Sequence, residues 1–170
     1  MSKINLQKNI SKNYRHAFSI IEVVVVPAIL LMVVLAVTSV FTAYMKSSKE
    51  SLNTVKAVYL LDEGVEVVKI FRDISWNEKI ASIIVGNPTR ISWNGTAWAT
   101  TSSATLIDGV FDRTITTGRV FRDSSTKDIV LTPGILDPDT KLVTVDVSWN
   151  ENGATTTKTL STYITNIFGN

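Results

Sequence analysis

The 170-residue chain contains no cysteine. That excludes a disulfide framework and a thiolate metal site, and it leaves the redox compartment undecided. Its one histidine is His16. No acid occurs in the first 17 positions, which hold Lys3, Lys8, Lys12 and Arg15. The rest carries 13 basic and 15 acidic side chains, so the pI near 8.9 belongs to this leader. No concentrated basic face follows it, and no nucleic-acid site is evident. A phosphate loop of the Gly-x-x-x-x-Gly-Lys kind is also missing, and no cofactor is implied.

The most informative absence is of charge. Residues 23 to 45, VVVVPAILLMVVLAVTSVFTAYM, carry none. A helix needs roughly 20 such residues to cross a bilayer, and the competing reading is a buried core helix. The basic flank predicts an amino terminus kept in the cytoplasm, with the rest exported. A secretory signal needs a small-residue cleavage site, and LAVTS at 35 to 39 offers a weak one after Ser39. The apolar run then continues through Val40, Phe41, Ala43, Tyr44 and Met45, so a cut there would discard half a span. An uncut anchor carrying an extracytoplasmic binding or adhesion module fits the length better. Neither reading gives a role to Glu22 at the head of the run, although a charge in hydrocarbon is costly unless compensated.

Ala17-Phe18-Ser19-Ile20-Ile21-Glu22, between a basic leader and an apolar helix, resembles the class III signal of type IV pilins and pseudopilins. The resemblance implies that a prepilin peptidase cuts between Ala17 and Phe18 on the cytoplasmic side and N-methylates the new Phe18 amine. Ala17 stands where the family usually has glycine. It also implies that Glu22 pairs with the terminal amine of a neighbouring subunit as subunits stack into a filament. A well-placed partner in low dielectric restores much of the cost of a buried charge, so the pair would favour axial register more than net stability. The other reading of Glu22 is a side chain snorkelling at the headgroups. Phe18, Glu22 and Pro27 are thus the candidate assembly residues. Pro27 cannot donate to the Val23 carbonyl and should bend or loosen the helix; whether that serves extraction from the membrane or is harmless stays open. The implied partners are the peptidase and methyltransferase, other pilin or pseudopilin subunits, assembly platform proteins and the lipid bilayer. A mature chain starting at Phe18 would lack histidine as well as cysteine, which removes Ser-His and Cys-His nucleophiles and the common zinc sites. The expectation is a structural subunit, not an enzyme.

Beyond Met45 the pattern turns amphipathic. Leu52, Val55, Val58 or Tyr59, Leu61 or Asp62, Val65 and Val68 recur at helical steps. One helix from about Phe18 to Ile74 would be roughly 85 Å long, unless it breaks at Gly64. Residues 75 to 104 read as a variable connecting region. Within it Arg90 to Trp93 is a short strand, and Trp93 and Trp98 straddle the Asn94-Gly95 turn as a small hairpin. Asn94-Gly95-Thr96 also matches a glycosylation sequon by pattern alone.

From 105 to 170 we expect an antiparallel sheet. Phe111, Arg113, Ile115 and Thr117 alternate up to a turn at Gly118, and Asp128 to Leu131 is a further strand. Leu142 to Trp149 turns Val143, Val145, Val147 and Trp149 to one face, and Ala154 to Tyr163 returns after a turn at Asn150 to Gly153. Asp137-Pro138-Asp139-Thr140 reads as a turn rather than a calcium loop with Asp128. The whole is α+β, pilin-like: leader 1–17, membrane or filament-core helix half 18–45, amphipathic half 46–74, connecting region 75–104 and sheet 105–170. Val145-Asp146-Val147-Ser148-Trp149 and Leu160-Ser161-Thr162-Tyr163 resemble the terminal strands of minor pseudopilins in particular.

Overall fold

A computed structural model describes residues 19–104 and 106–169. The chain divides into two compact units, residues 1–47 and 48–170. The architecture is α+β, with a 55-residue helix α1 (Ile20–Ile74) and a six-stranded antiparallel sheet. The strands are β1 (Thr89–Trp93), β2 (Trp98–Thr101), β3 (Asp112–Arg122), β4 (Ile129–Val130), β5 (Ile135–Glu151) and β6 (Ala154–Thr165). Their order is β2-β1-β3-β5-β6, and β4 pairs with β3.

Within the first unit every described residue is exposed. Apolar side chains therefore surround the helix there instead of forming one stripe. The second unit holds the core, where one face of α1 packs on the inward side chains of the sheet. Ala57, Leu61, Gly64, Val65, Val68 and Phe71 supply the helix side, and Ile115, Val143, Val145, Val147 and Trp149 the sheet side. The expected stripe is only half right. Leu61, Val65 and Val68 are buried, but Leu52, Val55, Val58 and Tyr59 are exposed. The buried face is set by small residues instead, because Ala57 and Gly64 bring the helix backbone close to the sheet. A Cβ on Gly64 would lie 2.7 Å from Val145 Cγ1, so glycine's cost in a helix, about 1 kcal/mol, is offset by that approach. The helix does not break there.

The region read as a connection contributes to the sheet. A π-helical turn, Trp76–Ala81, follows α1, with the Ser75 hydroxyl accepting from the Glu78 amide at 3.3 Å. Next come β1 and β2, with Trp93 opposite Trp98 and their rings in an edge contact at 5.7 Å.

Gly118 does not turn the chain; β3 runs straight through it, with Gly118 opposite Leu142. Nor is Asp137-Pro138-Asp139-Thr140 a turn. Val120 pairs with Asp137 while Arg119 pairs with Lys141, so residues 138–140 form a bulge with no partner on β3, although Thr140 still pairs with Thr165 of β6. Pro138 has no amide hydrogen to lose at such a place. Across this irregularity the inward side of β3 passes from Thr117 to Val120. Strand β6 forms the outer edge, in unbroken register with β5 over its whole length. Its Lys158 stands opposite core residue Val147 and so on the helix-facing side.

Candidate functional site

The sequence points to the start of α1. Ala17 and Phe18, the expected cleavage and methylation positions, lie outside the described residues. Glu22 is in the first turn of the helix. The Ser19 carbonyl opens that turn, accepting from the Glu22 amide at 2.9 Å and the Val23 amide at 3.3 Å. A carboxylate here gains from the positive end of the helix dipole. Glu22 is exposed and has no ion-pair partner among the described residues. Pro27 lies inside the helix, five residues on. It leaves the Val23 carbonyl without its usual donor. The helix start therefore carries a carboxylate and, one residue later, a carbonyl short of a donor.

From Val23 to Met45 the surface is hydrocarbon, with a mean hydropathy of 3.0 over an 18-residue window of α1 in which no residue is buried. The serine and threonine hydroxyls in this stretch are turned back onto the helix. Thr38 Oγ1 donates to the Val34 or Leu35 carbonyl, each at 3.0 Å, and Ser39 Oγ donates to the Leu35 carbonyl at 2.8 Å. Thr42 Oγ1 donates to the Ser39 carbonyl at 2.9 Å. Such back-bonding removes the need for water, which lipid cannot supply. This is one N-terminal helix long and apolar enough to cross a membrane.

Three arginines of the second unit are paired with carboxylates. Arg113 is 3 % exposed, between Phe111 and Ile115 on the inward side of β3. Its Nη1 donates to Glu63 Oε2 at 2.5 Å and to the Leu60 carbonyl at 3.1 Å, and its guanidinium lies 5.4 Å from the Trp98 ring centre. One cation thus ties α1, β3 and β2 together. Sequence alternation put Arg113 on the inward face but gave no sign of the Glu63 partner, fifty residues earlier. Arg90 grips Asp112 with two bonds of 2.7 Å, and these hold the Asp112 carboxyl below its ordinary range. Arg122 bonds Asp137 at 2.6 Å. Burial pushes Asp137 up, but Arg122, Thr140 and the Asp139 amide outweigh it, and the carboxyl is net lowered.

A cleft of about 300 Å³ beside the π-helical turn is lined by Glu78, Lys79, Ser82, Asn87 and Thr100 among others, and the Ser82 hydroxyl donates to the Glu78 carbonyl at 2.6 Å. Among the described residues no three His, Cys, Asp or Glu side chains gather as a metal site. No protein-family model matches the chain, and comparison with curated proteins and with solved structures found no match.

Proposed function

We propose that the chain is a structural subunit, a minor pilin or pseudopilin, that is held in the membrane by the first half of α1 and assembled into a filament through it. The observation that supports this most is an all-round apolar surface from Val23 to Met45, headed by an exposed, unpartnered Glu22. Lipid satisfies the first feature but not the second. A cationic terminal amine from an adjacent copy, made by cleavage before Phe18, satisfies both once helices pack side by side. In this reading the amino terminus faces the cytoplasm, the sheet-bearing unit is extracytoplasmic, and the first half of α1 exchanges lipid for neighbouring helices on assembly. The protein then performs no catalysis. It works with a prepilin peptidase, other subunits and an assembly platform.

Mass measurement of the protein from its host should find residues 1 to 17 removed and one methyl group added. An intact basic head in working assemblies overturns the proposal and favours an uncut anchor carrying a binding module. Glu22→Ala should be inserted and cut normally yet fail to enter filaments. Undiminished incorporation would sink the pairing.

A further inference from the structure

Two turns of the second unit are built on Asn-Gly, and their surroundings differ. Glycine after asparagine leaves its own amide nitrogen unshielded by a Cβ, so that nitrogen can attack the preceding carboxamide carbon. Whether it does depends on three atoms: the attacking nitrogen, the carbonyl oxygen that takes up charge, and the departing amide nitrogen.

At the tip of the β1–β2 hairpin, Asn94, Gly95, Thr96 and Ala97 are all exposed. Asn94 Oδ1 accepts from the Thr96 amide and from the Ala97 amide, each at 2.9 Å. These are two backbone donors aimed at one oxygen, within the distance at which such donors stabilise a developing oxyanion. The Gly95 amide has no acceptor among the described residues, and Asn94 Nδ2 has no hydrogen-bond partner there. The nucleophile and the leaving group are therefore unrestrained, and the oxygen that takes up charge already has two donors. In the β5–β6 turn the arrangement is the reverse. The Gly153 amide donates to Asn150 Oδ1 at 3.1 Å, which occupies the nucleophile. Asn152 Nδ2 donates to Glu50 Oε1 at 2.9 Å, which holds the leaving group. No donor to Asn152 Oδ1 is present among the described residues.

We infer that Asn94-Gly95 is a self-modifying site that converts to a succinimide and then to aspartyl and isoaspartyl forms, while Asn152-Gly153 is protected. In the first step the Gly95 amide gives its proton to solvent base and its nitrogen bonds to Asn94 Cγ. The negative charge gathers on Oδ1 between the Thr96 and Ala97 amides. The Cγ–Nδ2 bond then breaks and ammonia leaves with a proton from water. In the second step one water opens the ring. Attack at Cγ gives aspartate, and attack at the backbone carbonyl gives isoaspartate. One water is consumed, one ammonia is released, and nothing is oxidised or reduced.

The two products act in opposite senses on the hairpin. Aspartate puts a full carboxylate where Thr96 and Ala97 already donate, and charge-assisted bonds are the stronger kind. Isoaspartate lengthens the backbone by one methylene, next to the pair Trp93 opposite Trp98. Either product adds one negative charge to an exposed tip.

The test uses the full chain in detergent, incubated at mildly alkaline pH, digested at intervals and read by mass spectrometry with separation of isoaspartyl peptides. The peptide bearing Asn94 should convert about tenfold faster than that bearing Asn152, a modest share of what oxyanion donors supply in buried enzyme sites. In denaturant the two rates should converge, because the dipeptides are the same. Asn150→Ala and Glu50→Ala should each speed reaction at Asn152 and leave Asn94 unchanged. Asn94→Gln, which would need a larger ring, should remove the first signal only. Equal rates in the folded chain, or an Asn94 that outlasts Asn152, would overturn the assignment.

Discussion

The two halves of α1 draw on the same apolar residue types and do different things. Val33 and Leu35 in the first unit are more than half exposed, while Leu61 and Val68 in the second are buried. The identity of their apolar residues does not separate them. What separates them is the company of small residues and charges. The second half has Ala57 and Gly64 on one face and Asp62, Glu63, Glu66 and Lys69 on others, so it can meet a sheet on one side and water on the rest. The first half has no charge from Val23 to Met45, and its serine and threonine hydroxyls are closed onto its own carbonyls. A helix that must face a uniform apolar surrounding is apolar all round; one that must face two surroundings is divided.

The largest test of this contrast is a charge in the first half. Val33→Arg should cost about 3 kcal/mol of membrane insertion and shift the chain from the membrane fraction to the soluble or degraded one. The same change at Tyr59, exposed in the second half, should leave fractionation unaltered. Next in size is the close contact of the second half. Gly64→Ala should lower stability by about 1 to 2 kcal/mol, overpacking against Val145 outweighing the gain in helix propensity. Thermal unfolding of the full chain in detergent reads the loss. Val145→Ala in the same background should cost less than it does alone, because the two sites share one contact.

Smaller is the response to acid, which belongs to the second unit. The Asp112 carboxyl is lowered by Arg90, so its stabilisation is present above the ordinary value of 3.8 and is lost as pH falls through the lower folded value. Partial exposure keeps this under about 1 kcal/mol. Unfolding curves of the native chain and Asp112→Asn should therefore differ at neutral pH and converge in acid. Smallest of all, Tyr59→Ser should change thermal stability by no more than about 0.5 kcal/mol.

These contrasts also explain what could be read in advance. The strand from Val143 to Trp149 was legible because strict alternation leaves one solution, and the Trp93–Trp98 hairpin because Asn-Gly fixes the turn. The buried stripe of the second helix half was not, since Leu52, Val55 and Tyr59 keep helical spacing as well as the true face does. Ala57 and Gly64 look unremarkable in a sequence, and their value appears only against Val145. Asp137-Pro138-Asp139 carries a turn signal that the fold uses as a bulge, because β5 stays paired on both sides of it. Of the candidate site, the helix, Glu22 and Pro27 were evident as pattern. The back-bonded hydroxyls were not, because a threonine in an apolar run looks the same whether or not its proton has somewhere to go.

Lys158 has a consequence for crowding. A foreign strand laid along β6 would continue the sheet on its helix-facing side as well, and there it would meet an ammonium group that has to stay hydrated. Natural sheets use inward charges of this kind to discourage edge-to-edge joining. A second copy brought edge to edge along β6 would have to strip water from this ammonium group, which disfavours joining at this border.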